Sequence, residues 1–200
     1  VVLDVPWPDK TVISSRKNKG LSRSLLQGIT HCLDREERLI VLEDDCFPLP
    51  GFLEFMERNL EHWEDRSEVF SISGHHFIRR RDSLLEGLPH DTFLSSRFLC
   101  WGWATWRDRW ERLLPDLAVL SNPFGSYARV PATAGADLPF HAYAFESNAV
   151  DSWAIPVALI TLKRGMKHVM PRFPLIRNLG LDGSGTHCGK PDEPLDAGAF

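Results

Sequence analysis

The run RLIVLEDD, residues 38–45, constrains this chain more than any other stretch. Leu39 to Leu42 are continuously apolar, without the in-and-out alternation of a strand that has one wet face. Such a run reads as a parallel strand covered on both sides. A parallel strand needs crossover connections, usually helices, and helical patterns flank this one. Upstream, GLSRSLLQGITHCL from Gly20 to Leu33 sets Leu21, Leu25, Ile29 and Leu33 on one face. Downstream, PGFLEFMERNLEHW marks helical spacing with Phe52, Phe55, Met56, Asn59 and Trp63, and Pro50 suits a first turn.

The remaining pattern extends the alternation. VVLDV at the start, Glu68–Gly74 and Thr92–Leu99 read as strands, and AVDSWAIPVALITLKRG reads as a helix that Pro156 either kinks or begins. Residues 116–138, with Pro, Gly and Ala and no clear period, read as a long excursion. The tail after Asn178 is glycine-rich, then acidic and proline-rich, and is expected to fray. The expectation is one layered α/β/α domain over residues 1–200 with a mostly parallel, Rossmann-like sheet. At 200 residues the chain can bury one good core and is short for two.

Charge and cysteine content narrow the function classes. The net charge is −4, and the one dense basic run, Arg79–Arg81, is followed by Asp82 without interleaved aromatics, so no nucleic-acid partner is expected. No stretch approaches the roughly 18 uncharged residues that span a bilayer. Cys32, Cys46, Cys100 and Cys188 form no C-x-x-C pair, which points to buried free thiols in a reducing, cytoplasmic compartment.

Glu43, Asp44 and Asp45 close the central run, where open α/β sheets bind ligands. If the strand continued, Glu43 and Asp45 would share one side and Asp44 would take the other. Three adjacent carboxylates repel one another unless a cation or a set of donors lies among them, and Mg²⁺ or Mn²⁺ prefers oxygen ligands. Capping of the helix near Pro50, or solvation in a loop, explains the triplet equally well.

Four blocks taken in order carry a resemblance: IVLEDDCFPLPGFLEF, CWGWATWRDRW, DSW and NLGLDGSGTH. Together they resemble GT-A-fold glycosyltransferases, in particular the family-2-like bacterial hemolysin-like sugar transferases, and the EDD and DSW blocks are also similar to the N-acetylglucosaminyltransferase I type. The similarity runs from about Lys17 to His187. It implies a metal-dependent, inverting transferase that moves a sugar from a nucleotide-sugar donor to a hydroxyl of a glycan or other acceptor. Asp45 would hold Mn²⁺ or Mg²⁺ against the diphosphate, and Asp44 and Glu43 would touch the ribose and the donor sugar. Asp151, first residue of D-S-W, would be the base; its residue type and place before an apolar run also fit a helix cap.

The same resemblance places Trp101 and Gly102 beside the donor sugar and the acceptor. Trp103, Trp106 and Trp110 have helical spacing and can simply fill a core. Arg16 and Asn18 match an R-x-N-x-G-L block, where an arginine can meet phosphate or lie on the surface. His187, in a glycine-rich loop, would be a second metal ligand or close over the diphosphate. His75 and His76 follow a strand end and either face the crevice or serve as hydrogen-bonded structural residues. A complete GT-A domain carries a strand and helix ahead of the R-x-N block; only VVLDVPWPDKTVISS stands there, so a fragment is expected, and a non-catalytic carbohydrate-binding domain on a degenerate scaffold is the alternative.

Overall fold

The computed structural model describes residues 9–78, 85, 87–119 and 121–180. The VVLDV segment, the Arg79–Arg81 run, His187 and the tail beyond Gly180 lie outside the described residues. In chain order the elements are α1 (Leu21–Leu33), β1 (Arg38–Val41), β2 (Cys46–Pro48), α2 (Phe52–His62), β3 (Val69–Ser73), β4 (Thr92–Ser95), β5 (Trp103–Trp106), α3 (Arg107–Val119), α4 (Leu138–Glu146), α5 (Ala154–Lys163), β6 (Lys167–Pro171) and β7 (Ile176–Asn178). Two short 3₁₀ turns, Tyr127–Arg129 and Ala132–Ala134, precede α4.

The main sheet has the order β1-β5-β3-β6-β4, and β2 and β7 form a separate ribbon. The mostly parallel sheet expected from the sequence is not what forms: β3 and β6 pair in parallel, while β1–β5, β5–β3 and β6–β4 are antiparallel. Two strands are reversed, β4 at the edge beside β6 and β5 in the interior. β5 runs backwards between β1 and β3, so each neighbour becomes antiparallel to it, although β1, β3 and β6 themselves point the same way. Their carboxyl ends therefore still share one end of the sheet. β1 is not the doubly covered central strand its apolar run suggests; among the described residues it lies at the sheet edge, with Leu39 and Ile40 half-buried.

Helices cover both faces, and strand alternation sorts the side chains between them. On β5, Trp103 points toward α1, α3 and α5, where Ile29, Leu33, Trp110, Leu113 and Val157 are buried. Ala104 and Trp106 point the other way, against Phe52, Met56 and Leu60 of α2. β3 breaks the alternation: a bulge between Val69 and Ser71 lets Val69 and Ile72 join the α2 side while Phe70 turns to the other.

Several expectations need correction. Trp103 and Trp106 are strand residues, not helical ones, and the helix begins at Arg107. α3 continues through Pro115 to Val119, into the stretch read as an excursion, and the two 3₁₀ turns lie in the rest of it, which ends where α4 begins. An interior proline removes one helical hydrogen bond. Here Arg164 donates to the Arg112 carbonyl at 2.7 Å and pairs with Asp116, holding the helix on both sides of Pro115. Pro156 lies in the first turn of α5, where it begins the helix without kinking it.

Candidate functional site

At the shared carboxyl end of β1, β3 and β6, the acidic triplet leaves the strand through a turn. Cys46 N–H donates to the Glu43 carbonyl at 3.1 Å, and the chain reverses into β2. Glu43 and Asp45 are half-buried and Asp44 is exposed. That is the sorting expected of a continuing strand, produced instead by a tight turn.

Asp45 is held from the β7 side. Its backbone carbonyl accepts from Leu179 N–H at 2.8 Å, and its Oδ2 accepts from Asn178 Nδ2 at 3.2 Å. Gly180 packs so closely that a Cβ there would come within 2.8 Å of the same oxygen. Oδ1 takes only a long contact from the Cys46 thiol, 3.6 Å. A carboxylate has about four acceptor positions, so both oxygens keep capacity for a ligand.

Glu43 reaches across the sheet end. Its carboxyl is pushed above the usual carboxylate range by burial and by the charges of Asp45 and Asp44, with hydrogen bonds from Cys100 and Trp153 acting in the opposite direction. Burial and the neighbouring carboxylates also push the Cys46 thiol up, to about 12. Among the described residues, no lysine, arginine or histidine forms an ion pair with Glu43, Asp44 or Asp45. The triplet is thus a concentration of negative charge without a described counter-cation.

Trp153 links this rim to the interior. Its indole lies by the Glu43 carboxylate, and it stacks on Trp103 with centroids 5.6 Å apart and planes 27° apart. Two residues earlier, exposed Asp151 does cap a helix, but not the one that follows it. Its Oδ2 accepts from Leu21 N–H at 3.1 Å, at the start of α1 and 130 positions away in sequence. α5 instead uses Ser152, whose hydroxyl accepts from Ile155 N–H. On the α1 side, Asn18 Oδ1 accepts from Gly20 N–H at 2.9 Å in an Asx turn. Gly20 has φ 81°, and a side chain there would press on the Asp151 carboxylate at 3.0 Å. The two short blocks, N-x-G-L and D-S-W, are therefore one structural unit.

Arg16 is exposed beside this turn and makes no salt bridge with a described acid. Trp101 is half-buried and packs on His75 and Phe77. Gly102 is buried with φ 59°; Ile176 fills the space beside its α-carbon, and its carbonyl accepts from Gly74 N–H at 2.6 Å. His75 donates through Nδ1 to the Ile176 carbonyl at 3.3 Å, and burial lowers its pKa to about 4. His76 donates through Nε2 to the Arg172 carbonyl and accepts from Ile78 N–H at Nδ1, which fixes its tautomer. Both histidines are hydrogen-bonded structural residues at the strand ends.

Asn178, Gly180, Cys100 and Trp153 stand inside the blocks that carry the resemblance, yet nothing in the sequence marks them individually as site residues. Asn178 follows Arg177 and had no local signal of burial in the sequence, yet it is buried. The others join the site only through contacts distant in sequence. Among the described residues, no three His, Cys, Asp or Glu side chains converge into a metal cage. No known protein family matches the chain, and no curated protein is significantly similar to it.

Proposed function

We propose that this chain is the catalytic part of a metal-dependent, inverting glycosyltransferase that carries a sugar from a nucleotide-sugar donor to an acceptor hydroxyl. The observation that carries the reading is convergence. Blocks at residues 18–21, 43–45, 100–102 and 151–153, which in order resemble GT-A-fold enzymes, meet through Asp151 on Leu21, Glu43 on Cys100 and Trp153, and Asp45 on Asn178. Helices on both faces and three co-directional strands suit that reading, and the reversed β5 is compatible with it because the carboxyl ends stay together.

The donor set fits a cation of one kind. A preformed cage is not built, but Mg²⁺-type ions commonly take one or two carboxylates and complete their shell with substrate phosphates and water. Asp45, with acceptor capacity on both oxygens and uncompensated negative charge around it, suits that arrangement. A divalent cation held by Asp45 would supply positive charge against the departing diphosphate.

The chain's own residues supply the rest. Asp151 takes the proton of the acceptor hydroxyl as that oxygen bonds to the anomeric carbon, and the bond to the diphosphate breaks with its electron pair on the leaving oxygen. One displacement inverts the centre. The α1 N–H on Oδ2 orients the carboxylate for this step. Glu43 accepts from donor-sugar hydroxyls, Asp44 from the ribose, and Arg16 meets phosphate from the exposed turn. His187 is a second candidate ligand. The free thiols of Cys32, Cys46 and Cys100 suit a reducing, cytoplasmic compartment, and no helix among the described residues is long and apolar enough to cross a membrane.

Release of nucleoside diphosphate from a panel of uridine, guanosine and thymidine diphosphate sugars by the full-length protein tests the proposal. Mn²⁺-stimulated release is expected, and Asp151→Asn should keep donor binding while losing transfer. Binding of glycans without release of any nucleotide would favour a carbohydrate-binding domain instead.

A further inference from the structure

We propose that Phe77, Trp101 and His75 form a stacking platform for a neutral sugar ring, which in the transferase reading is the acceptor. Assigning that ring as the acceptor rests on the proposed function; the stacking itself does not.

The platform is built where two strands are tied at their ends. β3 runs out through Gly74 into His75–Phe77, and β5 is entered through Cys100–Gly102. Gly74 N–H to the Gly102 carbonyl, at 2.6 Å, locks the two connections together. The β1–β5 register pairs Val41 with Trp103 and sets Leu42 against Gly102. His75 bonds the carbonyl of Ile176, two residues before Asn178, which holds Asp45. The aromatic group and the acidic turn are thus tied to the same short strand, β7.

Its geometry leaves ring surface outward. Trp101 contacts Phe77 edge-on at 4.9 Å and 74°, and His75 at 4.7 Å; His75 contacts Phe77 at 5.1 Å and 75°. Phe77 is nevertheless 62% exposed. The base of the cluster is pinned by the His75 bond to the Ile176 carbonyl, so the rings have a fixed support.

The chemistry selects the occupant. Aromatic faces attract apolar C–H surface, and the neighbouring carboxylates only accept hydrogen bonds. His75, kept neutral by burial, offers no cation for an anionic ligand. Of the two guanidiniums on the adjoining segment, Arg172 is engaged with the Leu88 carbonyl and the Phe173 ring, and Arg177 points to the opposite face of β7 from Ile176 and Asn178. A phosphate or acidic sugar would meet uncompensated negative charge, and a purely apolar ligand would desolvate carboxylates without bonding them. A neutral ring with one C–H face and hydroxyl donors at its edge satisfies both halves of the site.

Saturation-transfer NMR with maltotriose, lactose and chitotriose, and with 3′-sialyllactose as the anionic comparison, tests this. At least one neutral sugar should bind with transfer concentrated on the C–H protons of one ring face. Phe77→Ala should weaken it roughly tenfold, Phe77→Tyr should preserve it, and Mn²⁺-dependent nucleotide-sugar binding should be unchanged in both. The platform is overturned if wild type binds none of the three, if Phe77→Ala binds as well as wild type, or if 3′-sialyllactose outcompetes lactose. Any of these alongside persisting Mn²⁺-stimulated nucleotide release leaves the transferase reading in place. Sugar binding lost with Phe77→Ala, in a protein that releases no nucleotide, supports the platform and defeats that reading.

Discussion

Trp101 and Trp103 are two residues apart and belong to opposite regimes. Trp103 is fully buried within a group of rings, stacked on Trp153 and Phe70 and edge-on to Phe98, on the side of the sheet covered by α1, α3 and α5. Trp101 sits half-exposed at the sheet end, packed on His75 and Phe77, and the acidic turn that follows β1 at that end has no described counter-cation. The interior follows the packing rules of a stable core, interdigitated with one ring against the next, and breaks them only at isolated polar atoms such as Trp103 Nε1, which is buried without a partner among the described residues. The rim breaks those rules by holding like charges together and leaving aromatic surface wet. Places where sequence and stability disagree are where a fold carries its function, and Trp153 joins the two regimes with its face on Trp103 and its indole by the Glu43 carboxylate.

The contrast predicts which substitutions cost stability and which cost only activity. The largest effect belongs to the interior. Trp103→Ala should lose about 3–5 kcal/mol in a urea titration, and a loss below about 1 kcal/mol would mean that the ring group is not the core.

Acid should act next, through His168. It is fully buried, its Nδ1 shares a hydrogen bond with Ser71 Oγ at 2.8 Å, and burial lowers its pKa to about 3. The unfolded chain, with an ordinary histidine near 6.5, binds the proton first as pH falls. The stability from neutral His168 is therefore complete above about pH 6.5 and declines toward pH 3, by roughly 1.4 kcal/mol per unit across that window. Urea midpoints measured from pH 7 to pH 4 should show this slope, and His168→Gln should flatten it.

A smaller stability effect separates the two roles of Asp151. Asp151→Ala removes the α1 cap and should cost about 1 kcal/mol. Asp151→Asn keeps an acceptor for Leu21 N–H, so its melting temperature should stay near wild type while transfer is lost. Equal destabilisation by both variants would show that the charge, not the hydrogen bond, holds α1.

The smallest change in stability is expected at the rim itself. Asp45→Asn removes one of three repelling charges and should shift unfolding by less than about 0.5 kcal/mol. A drop comparable to that of Trp103→Ala would erase the distinction between the two regions.

The sequence announced these regions unevenly. α1 was legible to the residue because Leu21, Leu25, Ile29 and Leu33 keep a 3.6-residue stripe, and α2 was legible from the same kind of stripe. β5 was not: Trp103, Trp106 and Trp110 fit helical spacing, yet Trp103–Trp106 lie in a strand buried on both faces, where no alternation survives to mark it. β6 hid for the same reason, since KHVMP carries a buried histidine and a proline. The direction of β5 is a property of the connections, which no local pattern encodes. At the site, Glu43, Asp45 and Asp151 stood out as acids beside apolar runs. Their partners Asn178, Cys100 and Leu21 did not, because those pairings span between 57 and 133 positions and exist only once the sheet has closed.

Calorimetric titration of Mn²⁺, in the presence and absence of uridine and guanosine diphosphate, tests the central claim most directly. The account predicts that wild type binds Mn²⁺ strongly only with a diphosphate present, and that Asp45→Asn loses this binding at an unchanged melting temperature. Equal Mn²⁺ binding by Asp45→Asn and wild type would contradict it.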